Sequence, residues 1–216
     1  MRKPVSPRQV GGGRFYRSAG KGFFDYLLVL ASLPVVVPLI GILALLVALD
    51  GAAPFYRQRR VGRNGKVFQM LKLRTMVPEA EHILQALLES DPEARREWDH
   101  KQKLCHDPRI TPLGNILRKA SIDELPQLWN VLRGEMSLIG PRPMMVEQER
   151  LYPNPGAAYY RLRPGITGLW QVSERNLSSF TERSAFDTEY YKGLSFKMDL
   201  SIFMRTIGVV LRGTGY

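Results

Sequence analysis

From Tyr26 to Leu49 the chain runs 24 residues without a formal charge, enough to cross a bilayer core as one straight helix. Two prolines interrupt the run, Pro34 and Pro38. Each removes a helical hydrogen bond and bends the chain. The arms on either side of Pro38 would rise only about 16–18 Å each at 1.5 Å per residue, short of a core of about 30 Å. A single spanning helix and a helix that breaks at Pro38, dips in and returns both remain open. A cleavable signal peptide fits poorly, because the basic lead-in is long and the small-residue cleavage pattern is weak. Beyond the apolar run the pattern changes period. Pro54–Val61 and Lys66–Arg74 are β-prone runs around Gly62-Arg63-Asn64-Gly65, and Asn-Gly between such runs predicts a β-hairpin. Residues 79–103 predict a charge-rich helix pair, the second helix capped by Asp91 with Pro92 next. Thr111 with Pro112 opens a short helix that ends near Arg118. Ser121 and Glu124 have capping-box spacing. Leu125, Leu128, Trp129 and Leu132 follow at helical spacing until Gly134. The last segment, Leu200–Leu211, is amphipathic, with Ile202, Phe203, Ile207 and Val210 apolar, and suits either a membrane interface or internal packing.

Charge placement sharpens the membrane reading. The formal net charge is +11 over 216 residues. Residues 1–75 carry 13 Lys and Arg against Asp25 and Asp50, whereas the remainder is balanced. The surplus therefore flanks the apolar run on both sides. Arg14, Arg17 and Lys21 precede it; Arg57, Arg59, Arg60, Arg63 and Lys66 follow it. Positive residues stay cytoplasmic, so both ends prefer the same side, which favours a re-entrant path. Anionic membrane lipids account for the surplus. No helix-turn-helix, zinc-finger or RNA-binding signature is present, so no nucleic-acid partner is expected. Cys105 is the only cysteine, which excludes an intrachain disulfide. His82, His100 and His106 lack metal-ligand spacing. Gly11-Gly12-Gly13 marks a flexible lead-in.

The candidate chemistry lies between Arg118 and Pro143. Asp123 and Glu124 are adjacent carboxylates, set between Arg118 and Arg142. A well-capped helix with acids in its first turn is the plain structural alternative. Lys72 and Arg74 share a strand face with Met70 and suit either solvent or a phosphate. Gly140-Pro141-Arg142-Pro143 and Arg163-Pro164-Gly165-Ile166-Thr167-Gly168 are rigid turns by composition. Asp187 and Tyr190 share a helix face at i, i+3, as a structural pair or as part of a site.

Taken in order, these segments resemble the bacterial sugar transferase family, the monotopic phosphoglycosyl transferases. The resemblance rests on F-D-Y-L-L at 24–28, the Pro38 break, R-V-G-R-N-G-K-V-F at 60–68, L-K-L-R-T-M at 71–76 and D-P-R-I-T-P-L-G at 107–114. It continues through S-I-D-E-L-P-Q-L-W-N-V-L-R-G-E-M-S-L-I-G-P-R-P at 121–143, R-P-G-I-T-G-L-W-Q-V at 163–172, and Asp187 with Tyr190. Residues near 77–105 carry no part of it. Two departures are Val37, where the family often has Ser, and the extra Pro34.

The resemblance implies a membrane enzyme of the family's minimal form. It would move a sugar 1-phosphate from a UDP-sugar to a polyprenyl phosphate such as undecaprenyl phosphate, releasing UMP through a covalent phosphosugar–aspartyl intermediate. The product would start an exopolysaccharide or another surface glycan. Galactose and glucose are the sugars the resemblance favours, and it leaves a homodimer open. Asp123 is then the catalytic nucleophile and Glu124 its acidic partner, in metal binding or proton handling, with both acids the implied ligands of Mg²⁺. Lys72, Arg118, Arg142 and Arg163 are implied as phosphate contacts, Pro141 and Glu147 as parts of a substrate loop, and Asp187 and Tyr190 as further substrate contacts. The helix dipole beside Ser121 should keep Asp123 ionised. The expected fold is α+β and mostly helical. It has a re-entrant helix-break-helix, a small β-hairpin and interfacial amphipathic helices. Its parts would be a flexible basic segment at 1–22, the re-entrant helix at 23–50, and a catalytic domain at 51–216 on the cytoplasmic face of the bacterial inner membrane.

Overall fold

In the computed structural model of the chain, residues 15–101, 104–152, 158–173 and 182–211 are described. The expected Gly11–Gly13 lead-in and the end of the helix pair at Lys103 lie outside them. A π-helical turn, Tyr16–Gly20, runs directly into α1, Lys21–Ala48, so the helical path starts before residue 23. Pro34 and Pro38 sit inside one continuous helix rather than in a gap between two. Proline leaves one carbonyl four residues back without its donor, which bends a helix without having to end it.

The hairpin forms as its turn residues require. β1, Phe55–Val61, pairs antiparallel with β2, Val67–Leu73. Asn64 and Gly65 hold positive φ at 59° and 74°, which Asn and Gly tolerate best. A short strand, β4 (Met144–Met145), adds to the other edge of β1, giving the order β2-β1-β4. The free edge of β2 is closed by one side chain: Asn130 Oδ1 accepts from Leu71 N–H at 3.1 Å, and Asn130 Nδ2 donates to the Gln69 carbonyl at 2.8 Å.

The helix pair is α2, Ala80–Ser90, and α3, Pro92–Lys101. Asp91 caps α3 through the N–H groups of Glu93 and Ala94. Thr111 caps α4, Pro112–Lys119, through Gly114 N–H at 2.9 Å. Gly114 lets this helix start lie against strand-end residue Thr75, because a Cβ there would fall 2.1 Å from the Thr75 carbonyl oxygen.

The stretch after α4 departs from expectation. Ser121 adopts a left-handed conformation and makes no capping bond. Ile122–Glu124 is a single 3₁₀ turn, and α5 spans only Gln127–Leu132, beginning after Pro126. A proline cannot supply the N–H a continuing helix needs, so one expected helix becomes two short pieces. Their buried side chains are Asp123, Gln127, Asn130 and Val131, while Trp129 is 58% exposed. Gly134, at φ 72°, ends α5 as expected.

Two further strands, β3 (Ser137–Ile139) and β5 (Gly165–Thr167), pair in parallel. The turn after β3 and the turn before β5 interlock: Gly165 N–H donates to the Pro141 carbonyl and Gly140 N–H to Thr167, both at 2.8 Å. A Cβ on Gly165 would lie 2.1 Å from Gly140 N, a contact that only glycine permits. Between these strands lie a 3₁₀ helix, Val146–Leu151, and α6, Ala158–Arg161; after them come α7 (Leu169–Val172), α8 (Arg183–Gly193) and α9 (Phe196–Leu211). The protein is thus mostly helical with small sheets and one long apolar N-terminal helix, as the sequence implied.

The core is a chain of small clusters, and two of them include α1. Val29 packs in a cluster with Phe68, Met70, Val131 and Met136; Val47 packs in another with Leu73 and Leu117. Asp25 accepts hydrogen bonds from Ser137 Oγ at 2.6 Å and Leu138 N–H at 3.3 Å. At the other end, Arg74 Nη2 donates to the Val47 carbonyl at 3.0 Å. Between these anchor points Val35, Val37 and Ile42 stand exposed.

Candidate active site

The 3₁₀ turn at Ile122–Glu124 lies against β2, and this brings its two carboxylates to a lysine on that strand. Lys72 Nζ is 2.7 Å from Glu124 Oε1 and 4.0 Å from Asp123 Oδ2. Arg142, in the turn after β3, reaches Glu124 Oε1 at 3.8 Å. Arg118, at the end of α4, donates from Nε to Thr75 Oγ1 at 2.9 Å and lies close enough to Asp123 for the two charges to interact. The sequence-predicted acids and three of the four predicted cations therefore converge. Glu124, Lys72 and Arg142 line a small cleft together with Arg60, Met70, Gln127, Pro143, Gly165 and Ile166. The two interlocked turns thus form one wall and the hairpin the other.

Electrostatics separate the two acids. Asp123 is buried, and burial pushes its carboxyl above the usual carboxylate range. Lys72 pulls it back down, Glu124 raises it, and Arg118 and Arg142 lower it. A short 3₁₀ turn has little dipole to offer, so the three cations, not a helix terminus, are what favour the ionised form. Glu124 instead points its carboxylate at the cleft cations.

The donor set suits a hard divalent ion. Among the described residues, no group of three or more His, Cys, Asp or Glu side chains converges. Mg²⁺, however, binds through one or two carboxylates and completes its shell with substrate phosphate oxygens and water. An ammonium already bridges Asp123 and Glu124 here, so the pair can hold a cation between them.

The remaining predicted residues lie elsewhere. Arg163 has its guanidinium beside Gly134, past the C-terminal end of α5. Pro141 is buried and its carbonyl accepts from Gly165 N–H. Glu147 is exposed on the 3₁₀ helix Val146–Leu151, in a shallow groove with Val146, Glu149 and Arg150. Asp187 and Tyr190 are buried on α8 with different partners. Asp187 accepts from Tyr152 OH at 2.6 Å; Tyr190 OH donates to Asp199 Oδ1 at 2.6 Å. Asp199 also takes Tyr16 OH and Lys21 Nζ, each at 2.7 Å, tying α8 and α9 to the start of α1. Sequence reasoning missed Asp25, Asn130 and Arg60. Asp25 carried a signal, as one of the two acids that bracket the apolar run; Arg60 was one more arginine in a basic flank.

The pattern described as Bacterial sugar transferase matches residues 16–213. The chain is 47% identical over 195 residues to a "UDP-galactose-lipid carrier transferase" of Erwinia amylovora, which covers 90% of this chain and 41% of that protein. It is 43% identical over 210 residues to the "Exopolysaccharide production protein ExoY" of Sinorhizobium fredii, covering 97% and 93%. It is 44% identical over 195 residues to an "Undecaprenyl-phosphate galactose phosphotransferase" of Salmonella typhimurium, covering 90% and 41%. The chain thus spans about two fifths of the Erwinia and Salmonella proteins and nearly all of the Sinorhizobium one.

Proposed function

The chain belongs to the bacterial sugar transferase family, and from that premise we propose that it transfers a sugar 1-phosphate from a UDP-sugar to undecaprenyl phosphate, releasing UMP and initiating an exopolysaccharide. The observation that carries this reading is the buried Asp123 held among Lys72, Arg118 and Arg142 beside Glu124. A diphosphate repels nucleophiles because it is anionic, so a carboxylate attacks it only where cations screen both. In this scheme Asp123 Oδ2 forms a bond to the sugar-bearing phosphorus while the bond from that phosphorus to the bridging oxygen breaks. UMP leaves with the electron pair. A phosphate oxygen of the acceptor then displaces Asp123 and restores the carboxylate. Lys72 and Arg142 hold phosphate oxygens and orient them. Mg²⁺ bound by Asp123 and Glu124 would neutralise charge on the diphosphate. The names of the Erwinia and Salmonella relatives point to galactose as the sugar.

A membrane-surface location follows from the exposed apolar surface. A water-soluble protein rarely exposes a continuous apolar helix such as α1. We read α1 as re-entrant, because both of its ends dock on one body. Asp25 and Val47 would lie about 33 Å apart on a straight helix, roughly the thickness of a bilayer core, and a spanning helix would place them on opposite sides. The face of α9 bearing Phe196, Leu200, Phe203, Met204, Ile207 and Val210 is also exposed. Phe196 meets Phe24 at a centroid distance of 5.0 Å, so this stripe continues from the base of α1 and suits an interfacial helix.

The test is UMP release from a panel of UDP-sugars with and without undecaprenyl phosphate, for the wild type and Asp123→Asn. Expected is acceptor-dependent turnover by the wild type, with a trapped phosphosugar adduct when acceptor is withheld, and neither in the variant. Full steady-state UMP release without acceptor would instead identify a hydrolase. Activity retained by Asp123→Asn would reject the covalent step.

A further inference from the structure

The cleft holds a cation that the reaction scheme does not use. Arg60, near the end of β1, lines it together with Glu124 and Arg142. One end of its guanidinium is anchored: Nη1 donates to the Pro143 carbonyl at 2.9 Å and Nη2 donates to Gln58 Oε1. Its Nε is shielded from solvent and has no hydrogen-bond partner. Among the described residues no carboxylate lies within salt-bridge distance of Arg60, although Glu124 attracts it across the cleft. Burial lowers its pKa to about 10, with repulsion from Arg142 and Arg183 adding to the effect. Arg183 backs the same wall, donating to the Arg142 carbonyl at 2.9 Å and stacking over Trp170 at 4.8 Å.

An unpaired buried cation costs folding free energy, and an N–H without an acceptor adds to that cost. The nearest cleft acid, Glu124, is already engaged by Lys72 and Arg142. Positive charge therefore exceeds negative charge in a cleft backed by apolar Met70, Pro143 and Ile166. A pocket in which Arg60, Lys72 and Arg142 outnumber the single lining carboxylate, Glu124, is suited to a phosphate group, whose oxygens accept from guanidinium forks.

We propose that Arg60, together with Arg142, forms a second phosphate seat in the cleft, beside the one at Asp123, that receives a phosphate ester of one of the two substrates. The proposal rests on the transferase reading for the identity of those substrates. The shared chemistry is a phosphate ester, which is either the phosphate of the departing nucleotide or that of the polyprenyl acceptor. Arg60 binds and positions; it forms no covalent bond.

The full-length chain is purified in detergent as wild type, Arg60→Gln and Arg60→Lys, and titrated with UMP by calorimetry. Loss of a charge-assisted hydrogen bond predicts UMP binding weaker by about tenfold or more in Arg60→Gln. Arg60→Lys keeps the charge without the fork and should fall between. Two single-turnover arms identify the source: UMP release without acceptor, and discharge of the preformed adduct by undecaprenyl phosphate. A loss in the first arm together with weaker UMP binding assigns the seat to the nucleotide. A loss confined to the second, with UMP binding unchanged, assigns it to the acceptor. UMP affinity and both arms within about twofold of wild type in Arg60→Gln would overturn the proposal. So would a lowered unfolding midpoint in both variants with Arg60→Lys no better than Arg60→Gln, since Arg60 would then only brace the Pro143 turn. Because UMP titration needs no turnover, a wild type that transfers no sugar phosphate would defeat the transferase reading while leaving this measurement intact.

Discussion

Asp123, the proposed nucleophile, is held at odds with stability. Its carboxyl is pushed up by burial, with the surrounding cations only partly offsetting this. A raised carboxyl pKa means that the folded state prefers the protonated form, so the ionised side chain opposes folding at neutral pH. Asp123→Asn should therefore unfold at a midpoint no lower than wild type while losing all transfer, checked by thermal unfolding beside the UMP assay. Asp187 gives a cleaner case away from the cleft. Burial lifts its pKa to about 6 from 3.8, against the pull of the Tyr152 hydrogen bond and of Arg183. The stability it contributes is full below 3.8 and is lost as pH rises to about 6. At about 1.4 kcal/mol per unit, the loss is bounded at about 3 kcal/mol. Asp187→Asn can still accept from Tyr152, so its unfolding free energy should lack that decline between pH 4 and 6, by about 3 kcal/mol at most. A wild-type-like decline in the variant would place the titrating group elsewhere.

At the scale of elements, what could be read from sequence was what local rules govern. Asn64-Gly65 set the hairpin turn, and Thr111 and Asp91 capped their helices, because those signals act within four residues. The single helix expected from Ser121 failed because Pro126 lies within it and apolar spacing alone cannot register a missing N–H. Trp129 counted as a core position in that pattern yet is exposed, while polar Asn130 is buried to close the edge of β2. Such a role depends on a strand some 60 residues away and leaves no local trace. The convergence of Lys72, Asp123, Glu124 and Arg142 was legible only by resemblance, since three separate elements supply it. The Gly-Pro-Arg-Pro and Arg-Pro-Gly turns read as candidate substrate loops; their glycines serve first to let the two backbones interlock. Gly165→Ala places a methyl 2.1 Å from Gly140 N. The expected outcome is a stability loss of at least about 2 kcal/mol by denaturant titration, together with reduced transfer, because the turn interlocked with it carries Arg142.

For the molecule as a whole, charge and apolar surface lie on one logic. The cationic surplus brackets α1, and the exposed stripe of α9 continues from its base. Cysteines introduced at Ser18 and Ala52 should both resist a membrane-impermeant thiol reagent applied outside intact cells and both react after lysis; labelling of either from outside would end the re-entrant reading. The attachments of α1 also bear on how the enzyme can be handled. Asp25 pins it to Ser137, Val29 and Val47 each complete a cluster of the body, and Arg74 is held by the Val47 carbonyl and Asp50. Helix α1 is therefore a structural wall and not a tether, so trimming it away to obtain a water-soluble fragment would tear open the interior that shapes the cleft, and assays of the proposed transfer call for the intact chain in lipid or detergent.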